Sequence, residues 1–368
     1  MPLPLKGYLP LSNLAQPSCS SSSSPQPSRL STSLSLSRPP ILPALSIAVS
    51  ATLCILLGFL CGLQSQTPTT AAPSTSNTQW CVHPPTRREW RSLSALERED
   101  YISAVKCLKT RSSRVGQPHS LYDDFPWVHT FVGDNTHDTA AFLPWHRYFI
   151  RIYERALQEQ CGYNGHLPYW DWTLDWLSIP SSPVFAPSSF GSTGNTTPPT
   201  PLTVNFGSCV TDGPFAGLPL LYYREAYTPH CLSRGFLPPD LIASICTPNL
   251  RPEVMSDVAR QGDFWAFSQA LEEGPHIGIP CVIRGDFANM TAPNDPLWWL
   301  HHAQLDRLWW QWQHVYPEDR LSQYLGPAIE DRTQNVSLFD VLVFGGLAPD
   351  VAVREIMDAE TGVLCYRY

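Results

Sequence analysis

The sequence predicts a mainly α fold: a helical bundle whose facing helices hold a pair of metal ions, with long loops and minor β structure. Three observations lead there. His129, His137 and His146 stand eight and nine residues apart, and a second group, His276, His301 and His302, follows some 130 residues later. Neutral imidazole is a preferred ligand of copper, zinc, iron and nickel, and helical bundles build such sites from side chains on facing helices. Both groups lie in aromatic stretches with helix start signals. Residues 178–215, rich in Pro, Ser, Thr and Gly, read instead as a long surface loop.

Each element follows from local chemistry. Ser94 and Glu97 form a capping box for a helix running to about Leu108, with Ile102, Val105 and Leu108 at helical spacing. On one continuous helix His137 and His146 would lie about 180° apart, so the chain between them must break. Gly133 and Asn135 supply the break, and Pro144 suits the first turn of a new helix over Trp145 to about Gln160. His129 then ends one helix, His137 lies in the connection, and His146 opens the next. In the second group Asn294 or Asp295 caps a helix that Pro296 opens and that runs through about His314. His302 and Asp306 fall one turn apart on it, where a carboxylate is placed to accept the imidazole's spare N–H. A lone histidine among tryptophans is more often a core residue than a ligand. Six of eleven histidines in two such groups reverse that expectation. Trp298, Trp299, Trp309, Trp310 and Trp312 read as core packing, and His83, His119, His166, His230 and His314 as surface or structural.

The segments YDDFPWVH (122–129), THDTAAFLPWHRYF (136–149), LPYWDWTLD (167–175), EGPH (273–276) and APNDPLWWLHHAQLDRLWWQWQ (292–313) resemble the tyrosinase and catechol oxidase copper proteins, in particular the short fungal forms. The resemblance covers about residues 80–368. It implies a helical-bundle domain with a binuclear (type-3) copper site that oxidises phenols or catechols to quinones with dioxygen, in pigment or secondary-metabolite formation. His129, His137 and His146 would bind the first copper and His276 and His302 the second, with His301 a neighbour of the site. Glu273 is the acidic residue expected beside it. The substrate would be a phenolic or diphenolic small molecule, or a peptide tyrosine.

One departure stands out. Where the family pattern places a histidine four residues after the first of the second group, this chain has Pro280, which has no donor atom. Affinity for the second copper should fall unless His301, Cys281 or another group helps; Cys281 reads as half of a disulfide, the alternative being a thiolate ligand to cuprous copper. The alternative function is therefore a copper-binding or structural relative with impaired or no oxidase activity. Ile277 replaces an Asn that many members carry, which shifts expectation from monophenol hydroxylation towards diphenol oxidation. Asn135 lies where some fungal members carry a cysteine thioether-linked to the middle histidine, so no thioether is expected.

The remainder concerns compartment. Residues 1–40 are rich in Ser, Pro and Leu without an acidic residue and read as a disordered tail. Residues 41–63 carry no charge and are long enough to span a bilayer, with basic residues only on their N-terminal side. A single-pass membrane anchor with a lumenal or extracellular catalytic domain is expected; the alternative is a cleaved signal sequence and secretion. Residues 64–79 form a linker to the domain at 80–368. Eight cysteines follow the anchor, an even number consistent with up to four disulfides. Asn195, Asn289 and Asn335 are glycosylation sequons. The net charge of −8, without a basic patch, excludes nucleic-acid binding as a function class. The C-terminal segment resembles that of short family members, with no shielding domain expected after it.

Overall fold

The structure is a computed structural model. The chain divides into two units, Met1–Thr75 and Ser76–Tyr368, and the structure describes residues 81–193 and 203–368. The expected tail, anchor and linker, and Asn195, lie outside the described residues. No helix among the described residues is long and apolar enough to cross a membrane.

Among the described residues, seven α-helices of seven residues or more organise the catalytic unit: α1 Ala95–Leu108, α2 Leu121–Val128, α3 Phe142–Cys161, α4 Pro252–Ala259, α5 Phe264–Leu271, α6 Ile277–Ile283 and α7 Trp298–Val315. The Ser94 capping box forms, with the Ser94 N–H donating to Glu97 Oε2 at 2.7 Å and Ser94 Oγ accepting from the Glu97 N–H at 3.3 Å. α1 buries Tyr101, Ile102, Val105 and Leu108. The longest helix, α3, packs along both α1 and α7. It begins at Phe142, earlier than expected, so Pro144 sits third. The first four N–H groups of a helix have no partner within it, so a proline there costs no bond. α3 ends at Gly162, whose φ of 68° forms a left-handed cap.

Strand is minor, as expected. β1 Ser208–Cys209 pairs antiparallel with β4 Ser233–Arg234; β2 Pro219–Tyr223 forms a hairpin with β3 Ala226–Cys231; β5 Val341–Leu342 pairs with β6 Val351–Ala352. Of residues 178–215, the described part does more than cross the surface. Ile179, Val184, Phe185, Phe190, Val210 and Phe215 are buried, and Phe190 packs on Trp90 at 4.9 Å. Short 3₁₀ turns at Ile179–Ser181 and Pro183–Phe185 satisfy its backbone locally. Its low periodicity hid its apolar content.

The tryptophans of α7 do pack the core. Trp299 stacks on Tyr153 of α3 at 3.7 Å and meets Phe125 of α2 at 5.1 Å; Trp312 stacks on Phe267 of α5 at 4.9 Å. These rings lock α2, α3, α5 and α7 into one rigid frame. All eight cysteines among the described residues pair, as Cys81–Cys365, Cys107–Cys161, Cys209–Cys231 and Cys246–Cys281. Cys281 is thus half of a disulfide and unavailable as a metal ligand.

Beneath α3 and α7 lies a buried ionic cluster. Asp306 accepts from Arg147 Nε at 2.5 Å, Tyr366 OH at 2.6 Å, Tyr368 OH at 2.7 Å and Arg87 at 3.5 Å, while Arg87 also donates to Glu154 at 2.6 Å. The expected contact from Asp306 to His302 is therefore replaced: its two oxygens bond arginines and the C-terminal tyrosines. Asp306 ties α7 to α3 and the chain's last residues, and acts on the histidines only by fixing the helices that carry them.

Candidate metal centre

The first histidine group converges. His129 caps the end of α2, where the chain passes into a π turn over His129–Gly133 and a 3₁₀ turn over Asp134–Thr136. Gly133 is required there, since a Cβ would lie 2.6 Å from the Trp145 ring. His137 follows in extended conformation, and His146 lies in the second turn of α3 rather than its first. One ligand atom from each of the three lies within 4.8 Å of the others.

Their ring orientation favours a metal. His129 Nδ1–H donates to the Met290 carbonyl at 2.5 Å, His146 Nδ1–H to the Phe142 carbonyl at 2.8 Å, and His137 Nδ1–H to the Asp134 carbonyl at 3.2 Å. A neutral imidazole that donates from Nδ1 presents a lone pair at Nε2. His129 Nε2 and His146 Nε2 then face each other at 3.2 Å, two lone pairs whose repulsion a cation removes. Burial, with the neighbouring imidazoles adding to it, holds His129 at about 3 and His146 well below the ordinary histidine value; burial also lowers His137. At neutral pH all three rings are uncharged donors. This set fits a copper ion.

The second group lies against it. His276 ends a π turn over Glu272–His276, and His301 and His302 open α7. The His302 ring stacks on His146 at 4.7 Å, His276 on His137 at 5.7 Å, and His276 meets His302 at 5.3 Å. His302 Nε2 and His276 Nδ1 are buried without a hydrogen-bond partner. Burial and neighbouring imidazoles push both rings well below the usual range. Unpartnered, uncharged and facing the first group, they too fit a metal, with one donor fewer: Pro280 sits within α6 as expected. Among the described residues only the first triad converges within 4.8 Å.

Three side chains complete the pocket that sequence reasoning left aside. Trp298 stacks on His302 at 3.8 Å and borders His129 at 5.2 Å, so one of the core tryptophans also walls the site. Phe142 touches His146 and His276, each at 4.9 Å. The third is Glu272. The expected Glu273 is exposed and accepts from Gln269 at 3.2 Å, whereas Glu272 is buried and accepts from the Asp138 N–H at 2.9 Å. Desolvation pushes the Glu272 carboxyl up to about 8. Gly274 leaves helical geometry just ahead of Pro275, and the π turn selects which of the adjacent glutamates faces inward. Ile277 is half exposed beside His276, and His137 and His276 are themselves only partly covered, which marks the open side of the pocket.

Fold and histidine cluster together are those of a tyrosinase-like copper oxidoreductase. The family profile described as the common central domain of tyrosinase matches residues 119–315. The chain is 43% identical over 295 residues to a tyrosinase-like protein, phomQ2, of Diaporthe leptostromiformis, covering 80% of this chain and 75% of that one. It is 30% identical over 342 residues to the N-acetyl-6-hydroxytryptophan oxidase ivoB of Emericella nidulans, covering 77% and 91%. A solved polyphenol oxidase from Thermothelomyces thermophila superposes with a TM-score of 0.68 at 30% identity, covering 77% and 88%. The chain belongs to the tyrosinase family.

Proposed function

We propose that the chain is a copper-dependent oxidase that converts phenols or catechols to quinones with dioxygen, in pigment or secondary-metabolite biosynthesis. The observation that carries this reading is the first triad, with three Nδ1–H groups fixed on backbone carbonyls, the Nε2 atoms of His129 and His146 facing each other, and one ligand atom of each ring within 4.8 Å of the others. His129, His137 and His146 hold one copper, and His276 and His302 contribute to the second. When bound, the copper pair supplies electron transfer and dioxygen activation. Two catechols give up four electrons and four protons, and one dioxygen takes them to become two waters.

The chain's own residues shape the pocket. Trp298 and Phe142 line it with apolar surface and exclude water from the imidazoles. An aromatic substrate enters on the open side, over His137 and His276, and meets the Ile277 side chain. Ile277 orients no water, which supports a diphenol over a monophenol or a peptide tyrosine as the better substrate. Glu272 fixes the backbone beside His137 through the Asp138 N–H.

The second reading, a copper protein with impaired oxidase activity, is favoured by Pro280 and by the looser second group. Copper counting on the loaded protein, with oxygen uptake on catechol and phenol, separates the two. Two coppers and catechol-dependent uptake support the oxidase; one copper without uptake overturns it. Pro280→His should raise catechol oxidation sharply under the impaired reading. Four disulfides support an oxidising compartment, reached through residues 41–63 as anchor or cleaved signal. N-terminal sequencing of the mature protein distinguishes these.

A further inference from the structure

The second half of the site has two motif histidines where the first has three. Pro280 offers no donor, and Cys281 is bonded to Cys246. One imidazole remains. His301 is fully buried, and the His276 backbone is the one polar group that reaches its ring, which leaves a ring nitrogen without a partner. Buried polar atoms in folded proteins are nearly always satisfied, so an orphaned ring nitrogen points to a missing partner.

Its ring stands near His276 and His302, short of the mutual 4.8 Å approach that the first triad makes. The His301 ring lies 5.3 Å from His302 and 6.1 Å from His276, and the remaining edge, His276 to His302, is 5.3 Å. The first triad has edges of 5.4, 5.3 and 5.0 Å. An ion about 2 Å from each imidazole nitrogen, with tetrahedral angles, sets ring centres about 5 Å apart. Two edges of the second triangle already agree, and the third is wide by about an ångström. On the other side of His301 lie Phe287 at 5.7 Å and Trp172 at 6.3 Å.

We propose that His301 joins His276 and His302 as the third imidazole of the second copper position, taking over the role that residue 280 does not fill. The inference rests on the paired-copper reading above. Ion binding draws His301 inward and satisfies the orphaned nitrogen.

The test is copper per chain, by elemental analysis, on the full-length protein after loading and removal of loose metal. Wild type is compared with His301→Ala, with His301→Gln and with the double variant Pro280→His/His301→Ala, and far-UV melting of each apo form checks the fold. Wild type should hold about two coppers and each single variant about one, with the double variant restored to about two. If His301→Ala fails to fold, His301→Gln, closer in size, carries the comparison. Single variants that keep two coppers overturn the proposal while leaving the paired-copper reading intact; His301 would then be satisfied by the Trp172 indole N–H, itself unpartnered. A double variant that stays at one copper overturns it too, since the deficit would not be one of ligand number. Wild type holding one copper or none overturns the paired-copper reading, and this proposal with it.

Discussion

Removing the Glu272 carboxyl should weaken copper binding at a site this residue never touches. Its Oε1 accepts the Asp138 N–H at 2.9 Å, and Asp138 holds a φ of 54° directly after His137. A left-handed non-glycine residue costs about 1–2 kcal/mol, which the Glu272 hydrogen bond, worth about 0.5–1.5 kcal/mol, helps to hold in place at the exposed Asp138. Glu272→Ala lets the chain shed that strain by re-forming the segment around Asp138, which turns His137 away from His129 and His146. Outer partners of metal ligands typically contribute about 10–100-fold in affinity, or about 1.4–2.8 kcal/mol, the same size as the local terms. The expected result is that loss in first-site copper affinity, measured by competition with a chelator of known strength. Glu272→Gln is the control. The carboxyl is raised to about 8 and so mostly protonated at neutral pH, and the amide oxygen accepts the same bond. Affinity within twofold of wild type for Glu272→Ala, or equal losses for both variants, would refute the reasoning.

Other perturbations test the frame. Asp306→Ala leaves Arg147 and Arg87 buried without their shared carboxylate and should destabilise by about 3–5 kcal/mol, a loss checked by urea unfolding; less than about 1 kcal/mol would show that the cluster relaxes. Opening Cys246–Cys281 by a double alanine substitution releases a loop closed over 35 residues. Chain entropy predicts a stability loss of about 4 kcal/mol, and α6 should become protease-sensitive next to His276. The apo protein should weaken in acid. Burial holds His129 and His301 at about 3 against about 6.5 unfolded, so the unfolded chain takes up protons that the folded one refuses. Stability is full above pH 6.5 and falls below it, by about 1 kcal/mol per histidine at one pH unit lower. A urea midpoint unchanged between pH 7.5 and 5.5 would contradict the burial of these rings.

Sequence alone reached α1 because its start carries explicit chemistry, Ser94 with Glu97. At α7 the expected cap by Asn294 or Asp295 and opening by Pro296 are not made, since the helix begins at Trp298 with Leu297 at its cap. Asp295 closes only the turn before it, its carboxylate accepting the Leu297 N–H at 2.9 Å. Sequence reached the first triad because a helix-breaking segment had to fold His137 back between His129 and His146. It could not place Glu272, because two adjacent glutamates are equivalent until the π turn and Gly274 decide which faces in. Nor could it see that Asp306 serves Arg87, Arg147, Tyr366 and Tyr368, since those partners lie between 60 and 219 residues away. One-turn spacing from His302 suggested a contact that stronger, distant donors had already claimed. The part of residues 178–215 that the structure describes joined the core through aromatic rings at irregular intervals, which no period reveals.

The Cys81–Cys365 bond spans 284 positions and closes the catalytic unit into a covalent ring. A protease cut anywhere within that ring leaves both pieces attached, so a nicked enzyme would keep its histidines together until it meets a reductant. Tension applied ahead of Cys81 passes through sulfur to Cys365 instead of peeling α1 from the bundle. Whatever precedes the domain pulls on its chain end, and the metal pocket inside stays out of the line of force.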